Sequence, residues 1–403
     1  MPAVINPMRL QGGCRQRVRF GAGMDPANSG GVKYTCAPGD AAADSRRRPL
    51  RIAQVAPLYE PVPPRLYGGT ERVVSYLTEE LVAQGHDVTL FASGDSVTDA
   101  RLVAGSPRAL RLDRSCRDPL AHHVLLLEKV LQRAAEFDVI HFHVDYLHFP
   151  ISRRAGVPHV TTLHGRLDLP DLQAVYSEFR DVPVVSISNS QREPLPQAGW
   201  EATVYHGLPP KRFRAPGGGG EGYLAFLGRI SPEKRVDRAI EIARRSGKRL
   251  RIAAKIDRAD VEYFEDQIRP LLALPHVEFI GEIGEDEKCD FLGGATALLF
   301  PIDWPEPFGL VLIEALACGT PVVAYNEGSV PEIIEDGVTG FLVQSVSEAV
   351  RAVGRLSSLD REVCRRIFEE RFTAARMAGD YVKIYERIIA RAPLLAVAGG
   401  SAA

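Results

Sequence analysis

Two glutamates, Glu306 and Glu314, stand eight residues apart in a segment that runs from a proline-rich loop into a predicted helix. If the helix extends back to the loop, this spacing corresponds to about two turns, so both carboxylates can face one ligand. Carboxylates accept hydrogen bonds from pairs of neighbouring hydroxyl groups. The spacing therefore predicts a site for a hydroxyl-rich ligand. The alternative for Glu314, a solvated helical glutamate, is disfavoured by its apolar neighbours.

Arg229 and Lys234 supply the positive charges that a phosphate ligand needs. A strand-like run ends at Gly228, and the two cations follow in a turn before a predicted helix. Arginine can hold two phosphate oxygens at once, while lysine acts as a compact point charge. Together they could neutralise a diphosphate, although such a turn by itself could equally be an exposed basic surface.

Backbone groups could bind the same anion at two helix starts. Phe308, Gly309 and Leu310 lead into the helix after the proline-rich loop, and Gly68 and Gly69 open the first helix of the chain. Glycine allows close approach of the backbone to a ligand, and the N–H groups at a helix start favour anions. A double glycine alone is weak evidence, because it also marks an ordinary turn.

Histidines cluster in the amino half, where His164 follows one strand-like run and His141 and His143 alternate on another. The carboxyl ends of strands are where open α/β sheets bind ligands. Alternate histidines on one strand face could bind a metal, but no cysteine or carboxylate at a suitable spacing completes such a site. We expect His143, Asp145 and Tyr146 to line the cleft or bind an acceptor.

The glutamate segment resembles the E-x7-E motif of the family-4 retaining glycosyltransferases. The match is specific, because Pro-Phe-Gly-Leu stands between the glutamates and Ala-Cys-Gly-Thr-Pro-Val-Val follows them. Arg229 and Lys234 are similar in place to the family's G-R-x-x-x-x-K element, although Arg235 replaces the glycine that often follows the lysine. The double glycine and the strand-end histidine also have counterparts in the family. The resemblance covers about 50–391.

This resemblance implies the GT-B fold, an α/β architecture in which two Rossmann-like, doubly wound parallel-sheet domains face an interdomain cleft. It also implies retaining transfer of a hexose from a nucleoside-diphosphate sugar to an acceptor hydroxyl group, with attack on the same face. UDP-glucose is the first expectation for the donor and GDP-mannose the second. The sequence has no D-x-D triplet, by which the other large glycosyltransferase fold holds a metal. We therefore expect no metal ion and no cofactor.

The resemblance also assigns roles to the matching positions. The catalytic residues are Glu306 beside the donor sugar, His164 on the transferred sugar, and the cations Arg229 and Lys234. Thr70 and Glu71 are expected only as neighbours of the donor phosphates. The residues that bind the donor are Gly68, Gly69, Phe308, Gly309, Leu310 and, on the ribose, Glu314.

Two further donor-binding assignments concern the carboxyl half. Lys255 stands where many relatives have a glycine-rich turn, and it could either reach the nucleotide or diphosphate or cap its strand. Ile283 lies in Gly-Glu-Ile-Gly, a segment that is well placed for backbone contacts to the nucleotide base.

The elements that must position these residues follow from hydrophobic patterning. Short apolar runs alternate with longer amphipathic stretches, which is typical of βα units and a parallel sheet. We predict strands at 50–56, 88–92, 139–142, 159–163 and 184–187 in the amino half. In the carboxyl half we predict strands at 223–227, 250–254, 277–280, 297–300 and 321–324, and a final helix at about 375–391.

The predicted organisation has two globular domains. A disordered leader at 1–48, with Met24 as an alternative start, precedes an acceptor-side domain at 49–207. A flexible Pro- and Gly-rich linker at 208–222 leads to a donor domain at 223–374. A helix at 375–392 is expected to pack back on the first domain, before a disordered tail at 393–403.

Composition excludes several other classes of protein. The chain has 403 residues, which suit two domains, and 49 basic against 51 acidic residues give a net charge of −2 that would not attract nucleic acid. No apolar run reaches the about 18 residues that a membrane span needs, so no integral membrane segment is expected. The 6 cysteines are scattered without a C-x-x-C pair, which favours a reducing, cytoplasmic location.

The expected partners are a nucleotide-sugar donor and an unidentified small-molecule, glycan or lipid acceptor. Two other functions stay open: a nucleotide-sugar epimerase of the GT-B fold, and a nucleotide-sugar-binding protein without catalysis. The second is disfavoured because both glutamates, both cations and the strand-end histidine are present together.

Overall fold

The computed structural model describes residues 48–66, 68–213 and 222–391. The predicted leader except its last residue, positions 214–221 of the predicted linker, and the predicted tail lie outside the described residues. Within the described ranges, no helix combines the length and the apolar character that a membrane crossing requires.

Seven parallel strands form one sheet in the amino half of the described chain, in the order β3-β2-β1-β4-β5-β6-β7. β1 and β4 are buried almost throughout, as strands covered by helices on both faces must be. The strands are β1 (Arg51–Val55), β2 (Asp87–Ser93), β3 (Arg101–Ser106), β4 (Val139–Phe142), β5 (His159–Thr162), β6 (Val184–Ser186) and β7 (Trp200–Thr203). The helices are α1 (Gly69–Ala83), α2 (Pro119–Gln132), α3 (Phe149–Ala155) and α4 (Leu172–Glu178).

Six parallel strands form a second sheet in the described carboxyl half, in the order β10-β9-β8-β11-β12-β13. The strands are β8 (Tyr223–Ile230), β9 (Arg249–Ile256), β10 (Val277–Gly281), β11 (Ala297–Phe300), β12 (Val322–Tyr325) and β13 (Gly340–Val343). The helices are α5 (Val236–Arg245), α6 (Val261–Tyr263), α7 (Glu285–Gly293), α8 (Leu310–Ala317), α9 (Val330–Ile333), α10 (Val346–Val353), α11 (Arg361–Arg371) and α12 (Ala374–Arg391). Two doubly wound, parallel-sheet domains confirm the fold class expected from the sequence.

The sequence analysis missed three strands, and all three lie at the edges of the two sheets. β3 and β7 are the edge strands of the first sheet, and β13 is an edge strand of the second. An edge strand has one neighbour and less cover, so its sequence need not be a continuous apolar run. β7, for example, reads Trp-Glu-Ala-Thr and is only half-buried.

The topology brings the candidate residues to one region in each domain. The strand order reverses between β1 and β4 in the first sheet and between β8 and β11 in the second. Open α/β sheets bind ligands outside the carboxyl ends of strands at such a reversal. Gly68 follows β1, Arg229 lies near the end of β8, and Glu306 follows β11, so the fold places them where a ligand site is expected.

The chain passes between the two domains at paired segments. Leu208 and Thr373 form an isolated parallel bridge. The Leu208 N–H donates to the Phe372 carbonyl at 2.9 Å, and the Ala374 N–H donates to the Leu208 carbonyl at 2.9 Å. The Arg365 guanidinium also donates to the carbonyl of buried Phe213 at 2.6 Å. Residues 208–213 of the predicted flexible linker are thus held in place.

The final helix, α12, begins at this crossing and returns to the first domain. Its Tyr381 hydroxyl lies 2.8 Å from Thr162 Oγ1 in β5, and its Tyr385 hydroxyl lies 2.8 Å from His141 Nδ1 in β4. These tyrosines are fully buried, so the carboxyl terminus of the described chain completes the polar core of the amino domain.

Replacing Gly207 by alanine should destabilise the protein by about 2 kcal/mol or more. A Cβ atom at this position would lie 2.2 Å from the Thr373 carbonyl oxygen, so the paired crossing would have to separate. Gly379→Ala is the matched control, because no atom lies within 4 Å of the new methyl group and the residue is inside α12. The control should be neutral or stabilising by up to about 1 kcal/mol in urea unfolding. Equal midpoints for the two variants would contradict this account of the crossing.

Candidate active site

Two helix starts face each other across the cleft. Gly69 is the first residue of α1, and a Cβ atom on it would lie 3.7 Å from Leu310 Cδ1 at the start of α8. Gly309, just before α8, has φ of 81°, a left-handed conformation that favours glycine. The structure therefore brings the double glycine of the amino domain against the Gly-Leu turn of the carboxyl domain, as a shared anion site requires.

The side chain of Phe308 holds the domains together rather than facing the cleft. It is buried, and its ring centroid lies 4.8 Å from that of His206 and 6.4 Å from that of Phe372. Its predicted contact with a donor can therefore come only from its backbone amide.

Both predicted phosphate-binding cations are paired with carboxylates of their own domain. Lys234 Nζ forms a salt bridge with Glu306 and lies 5.0 Å from the centroid of the Trp304 ring. Arg229 pairs with Glu233 at 2.6 Å and with Asp260 at 3.6 Å. A diphosphate that binds these cations would compete with the carboxylates, so binding the donor would rearrange the ion pairs.

Glu314 belongs to a second ion-pair cluster that crosses the cleft. Its side chain is only 5% exposed, and Lys288 Nζ lies 2.7 Å from its Oε1. Lys288 also pairs with Glu285 at 3.1 Å, and Glu285 pairs with Arg72 of α1 at 3.3 Å. The Tyr76 hydroxyl donates to Glu285 at 2.6 Å. The two glutamates of the motif are thus held by different lysines.

The ionisation of this cluster follows from burial and charge together. Burial disfavours the charged form of Lys288, but the carboxylates of Glu314 and Glu285 outweigh it and raise the pKa of the lysine. Burial likewise disfavours the charged form of Glu285, but Lys288 and Arg72 outweigh it and lower the pKa of that carboxyl group. Lys288 and Glu285 are therefore both charged near neutral pH.

Arg72 and Lys288 are candidate site residues that the sequence analysis missed. Arg72 stands in the first turn of α1, where a positive charge opposes the helix dipole. A positive charge at this position favours an ion pair with a carboxylate elsewhere in the fold, so the sequence could have indicated that Arg72 has such a partner. Lys288 lies at i+3 from Glu285 in a run that looks like a solvated helix surface, so only the packing of α7 against α8 reveals its contact with Glu314.

Glu332 makes a second contact between the domains. Its carboxylate accepts from the backbone N–H groups of Asn189 and Ser190, both at 2.8 Å, and from the Tyr205 hydroxyl at 2.9 Å. Glu332 lies in α9 of the carboxyl domain, while its three partners belong to the amino half. Glu285 and Glu332 thus reach from the carboxyl domain to groups of the amino half.

The structure corrects the acceptor-binding role predicted for His143. This side chain is 3% exposed. Its Nε2 lies 2.8 Å from Gln54 Oε1 and its Nδ1 lies 2.9 Å from His164 Nε2, so both ring nitrogens already have partners. The nitrogens of His141 are likewise bonded to Tyr385 and Thr162. His143 therefore lies behind His164 instead of contacting an acceptor.

His164 lies half-buried at the end of β5, within a group of neutral histidines. Its ring centroid lies 5.4 Å from that of His206 in a stacked arrangement. Burial lowers the pKa of His164 to about 3. Burial, together with neighbouring histidines, also holds the pKa values of His143 and His206 well below the usual range. His164 therefore offers hydrogen bonds as a neutral imidazole near neutral pH.

Asp145 and Tyr146 keep positions that are open to an acceptor. Both are exposed residues just after β4. Asp145 has φ of 50°, and the protein atoms crowded around its carboxyl group raise its pKa to about 6, although its surface remains reachable from solvent. Tyr146 is 39% exposed, and its ring is nearly perpendicular to that of Tyr176.

The other two predicted donor contacts differ in position. Lys255 pairs with Arg229 in the register of β8 and β9, so the two side chains lie on the same face of the sheet. Its Nζ lies 3.9 Å from Asp257. Ile283 packs against the large hydrophobic core, so its predicted contact with a base would come from its backbone.

Comparisons with known proteins match both domains. A model described as Glycosyltransferase Family 4 matches residues 67–261, and one described as Glycosyl transferases group 1 matches residues 210–370. Glycogen synthase of Mycobacterium tuberculosis is 28% identical over 368 residues, which are 78% of this chain and 86% of that protein.

Solved structures share the architecture. The structure of AviGT4, a glycosyltransferase involved in avilamycin A biosynthesis, is 26% identical, with a TM-score of 0.67 over 85% of this chain and 99% of that chain. The Anabaena protein HepE, solved in complex with UDP-glucose, is 18% identical, with a TM-score of 0.64 over 84% of this chain and 100% of that chain.

The two family models together cover residues 67–370, which include most of both domains and every predicted site residue. The match agrees with the two facing sheets, the paired crossings of the chain, and the glycine, cation and glutamate elements that meet in the cleft. The chain therefore belongs to the group 1 glycosyltransferases of the GT-B fold.

Proposed function

We propose that this glycosyltransferase moves a hexose from a nucleoside-diphosphate sugar to an acceptor hydroxyl group with retention at the anomeric carbon. UDP-glucose is the first candidate donor and GDP-mannose the second. The observation that carries the proposal is the salt bridge between Lys234 and Glu306 in the cleft. It joins the residue expected at the diphosphate to the residue expected at the sugar. The complex of the Anabaena protein with UDP-glucose supports this choice of donor.

The reaction would depend mainly on stabilising the leaving group. As the bond from the anomeric carbon to the phosphate oxygen breaks, negative charge develops on the diphosphate, and Arg229 and Lys234 would stabilise it. The acceptor oxygen would attack the same face of the sugar, and its proton would pass to the departing phosphate oxygen. Glu306, bonded to Lys234, would keep the lysine in place before the donor binds and would then face the sugar.

The same two cations support a reaction without a metal ion. A divalent metal would serve to neutralise the diphosphate, and a guanidinium and an ammonium group can supply that charge. Neither Arg229 nor Lys234 would need to move between domains, since both lie at the end of β8 and in the turn that follows.

A donor panel tests the proposal. The protein is incubated with UDP-glucose, GDP-mannose and other nucleotide sugars, with and without candidate sugar and lipid acceptors, in the presence of a metal chelator. We expect acceptor-dependent release of nucleoside diphosphate and a new glycoside of unchanged anomeric configuration. An epimerised sugar without a new glycoside would favour an epimerase. Tight binding without turnover would favour a non-catalytic binding protein, and a requirement for added metal would refute metal independence.

A further inference from the structure

A chain of hydrogen bonds runs from the final helix to the histidine of the cleft. Gln54 Nε2 donates to the Tyr385 hydroxyl at 3.1 Å, and Gln54 Oε1 lies 2.8 Å from His143 Nε2. His143 Nδ1 then lies 2.9 Å from His164 Nε2. Gln54 and Tyr385 are fully buried and His143 is nearly so. Water therefore has little access to compete for these bonds, and their direction is set by the protein.

The direction follows from the two different ends of the Gln54 amide. Since its NH2 group donates to Tyr385, its oxygen must accept from His143, which places a hydrogen on His143 Nε2. A neutral imidazole carries only one N–H, so His143 Nδ1 is an acceptor and the hydrogen between the rings belongs to His164 Nε2. His164 Nδ1 is then left with a lone pair.

This lone pair has no protein partner in the described part of the chain. His164 Nδ1 is enclosed by protein atoms, yet no hydrogen-bond donor reaches it. Buried polar atoms in native proteins are nearly always paired with protein groups, water or a ligand. The His164 residue as a whole is only half-buried and follows the strand end at the cleft, so a ligand that binds there and displaces the atoms covering Nδ1 would supply the missing donor.

We propose that Gln54, His143 and Tyr385 are positioning residues that hold His164 as the Nε2–H tautomer, so that Nδ1 accepts a hydrogen bond from a hydroxyl group of the transferred sugar. The identity of this ligand rests on the proposed function, whereas the tautomer does not. The chain links α12 to the cleft, so the last helix of the described chain contributes to the chemistry of the first domain without contacting the sugar.

Two tyrosines of α12 provide a matched pair of variants. Tyr385→Phe removes the acceptor of the Gln54 NH2 group, so the amide can rotate and His143 and His164 can exchange tautomers. Tyr381→Phe removes an equally buried hydroxyl group from the same helix. That hydroxyl group contacts Thr162 and does not contact Gln54, His143 or His164. Gln54→Met is a second test variant, because it removes both amide contacts with a side chain of similar length.

Nitrogen NMR of protein with 15N-labelled histidine measures the tautomer directly, without substrate. His164→Asn identifies the His164 signals. We expect a protonated Nε2 and an unprotonated Nδ1 in the parent protein and in Tyr381→Phe. In Tyr385→Phe or Gln54→Met, whichever retains the native thermal unfolding transition, we expect the chemical shifts of the His164 nitrogens to be averaged between the two tautomers. A protonated Nδ1 in the parent protein would overturn the proposal, as would an unchanged tautomer in a folded test variant.

Transfer kinetics then test the consequence for the reaction. Loss of one aligned hydrogen bond should lower kcat/KM by about tenfold in the folded test variant, against about twofold or less in Tyr381→Phe. A changed tautomer with unchanged transfer would refute the link to the sugar while leaving the proposed function intact. Failure of the parent protein to transfer any sugar would refute the proposed function, but the tautomer measurement would still stand.

Discussion

Replacing Lys234 by alanine should lower the rate of sugar transfer by about a hundredfold to a thousandfold, the usual loss when one preorganised stabiliser of a developing anion is removed. Lys234 Nζ lies against Glu306 and over the ring of Trp304. The substitution would remove a positive charge from the diphosphate and leave the Glu306 carboxylate, which is only 13% exposed, without its ion pair. Both effects raise the barrier for departure of the leaving group.

Steady-state kinetics and calorimetric binding of the nucleoside diphosphate separate the two contributions. We expect a lower kcat together with weaker binding of the nucleotide. Glu306→Gln should also lower kcat, but it should leave nucleotide binding largely intact, because the glutamate is expected beside the sugar. Arg235→Asn is the control, since that cation is the next residue but pairs with Asp237 and Asp303. Its rate should stay within about threefold. Unchanged turnover in Lys234→Ala would remove the lysine from the mechanism.

Acidification from about pH 7 to about pH 5 should destabilise the protein by several kcal/mol, because buried histidines must remain neutral in the folded state. The pKa of His164 is lowered to about 3 by burial, and burial also holds the pKa values of His141, His143 and His206 well below the usual range. The unfolded chain takes up protons below about pH 6.5, whereas these folded-state imidazoles do not.

The sign follows from these directions. A histidine whose pKa is lower in the folded state contributes its full stability above about pH 6.5 and loses it as the pH falls towards the folded-state pKa. Each such histidine removes about 1.4 kcal/mol for each pH unit in that interval. For His164 the interval extends from about 6.5 down to about 3.

Urea unfolding at a series of pH values measures this slope. His206→Phe, which keeps a ring between His164 and Phe308, should reduce the slope by about 1.4 kcal/mol per pH unit, since one proton fewer is taken up on unfolding. Stability that is constant between about pH 7 and about pH 5 would show that these histidines are protonated in the folded protein.

Arg235 stands where the resembled family often has a glycine, and the structure shows the physical reason for that preference. The resemblance predicts a glycine at this position, and the structure gives Arg235 φ of 52°, a left-handed conformation that glycine adopts without strain. Ion pairs with Asp237 at 2.8 Å and Asp303 at 2.9 Å hold the arginine there. The sequence shows the substitution, whereas the contact with Asp303, far along the chain, appears only in the fold.

The sequence by itself determined the fold class and the central strands, and it predicted the motif residues of the candidate site. This was possible because buried parallel strands are continuous apolar runs, and because Gly309, Lys234 and Glu306 stand in short segments whose local order is sufficient to recognise them. The edge strands β3 and β7 lack such a pattern because they are partly exposed, whereas β13, Gly-Phe-Leu-Val, is a short buried apolar run that the sequence analysis missed.

Only the tertiary structure decided which of these residues act together. It assigned Glu306 to Lys234 and Glu314 to Lys288, and it connected Glu314 through Glu285 to Arg72 of the other domain. It also moved His143 from the acceptor side to a position behind His164. The physical reason is that hydrogen bonds and ion pairs depend on distances of a few ångströms between side chains remote in sequence, which no local spacing specifies.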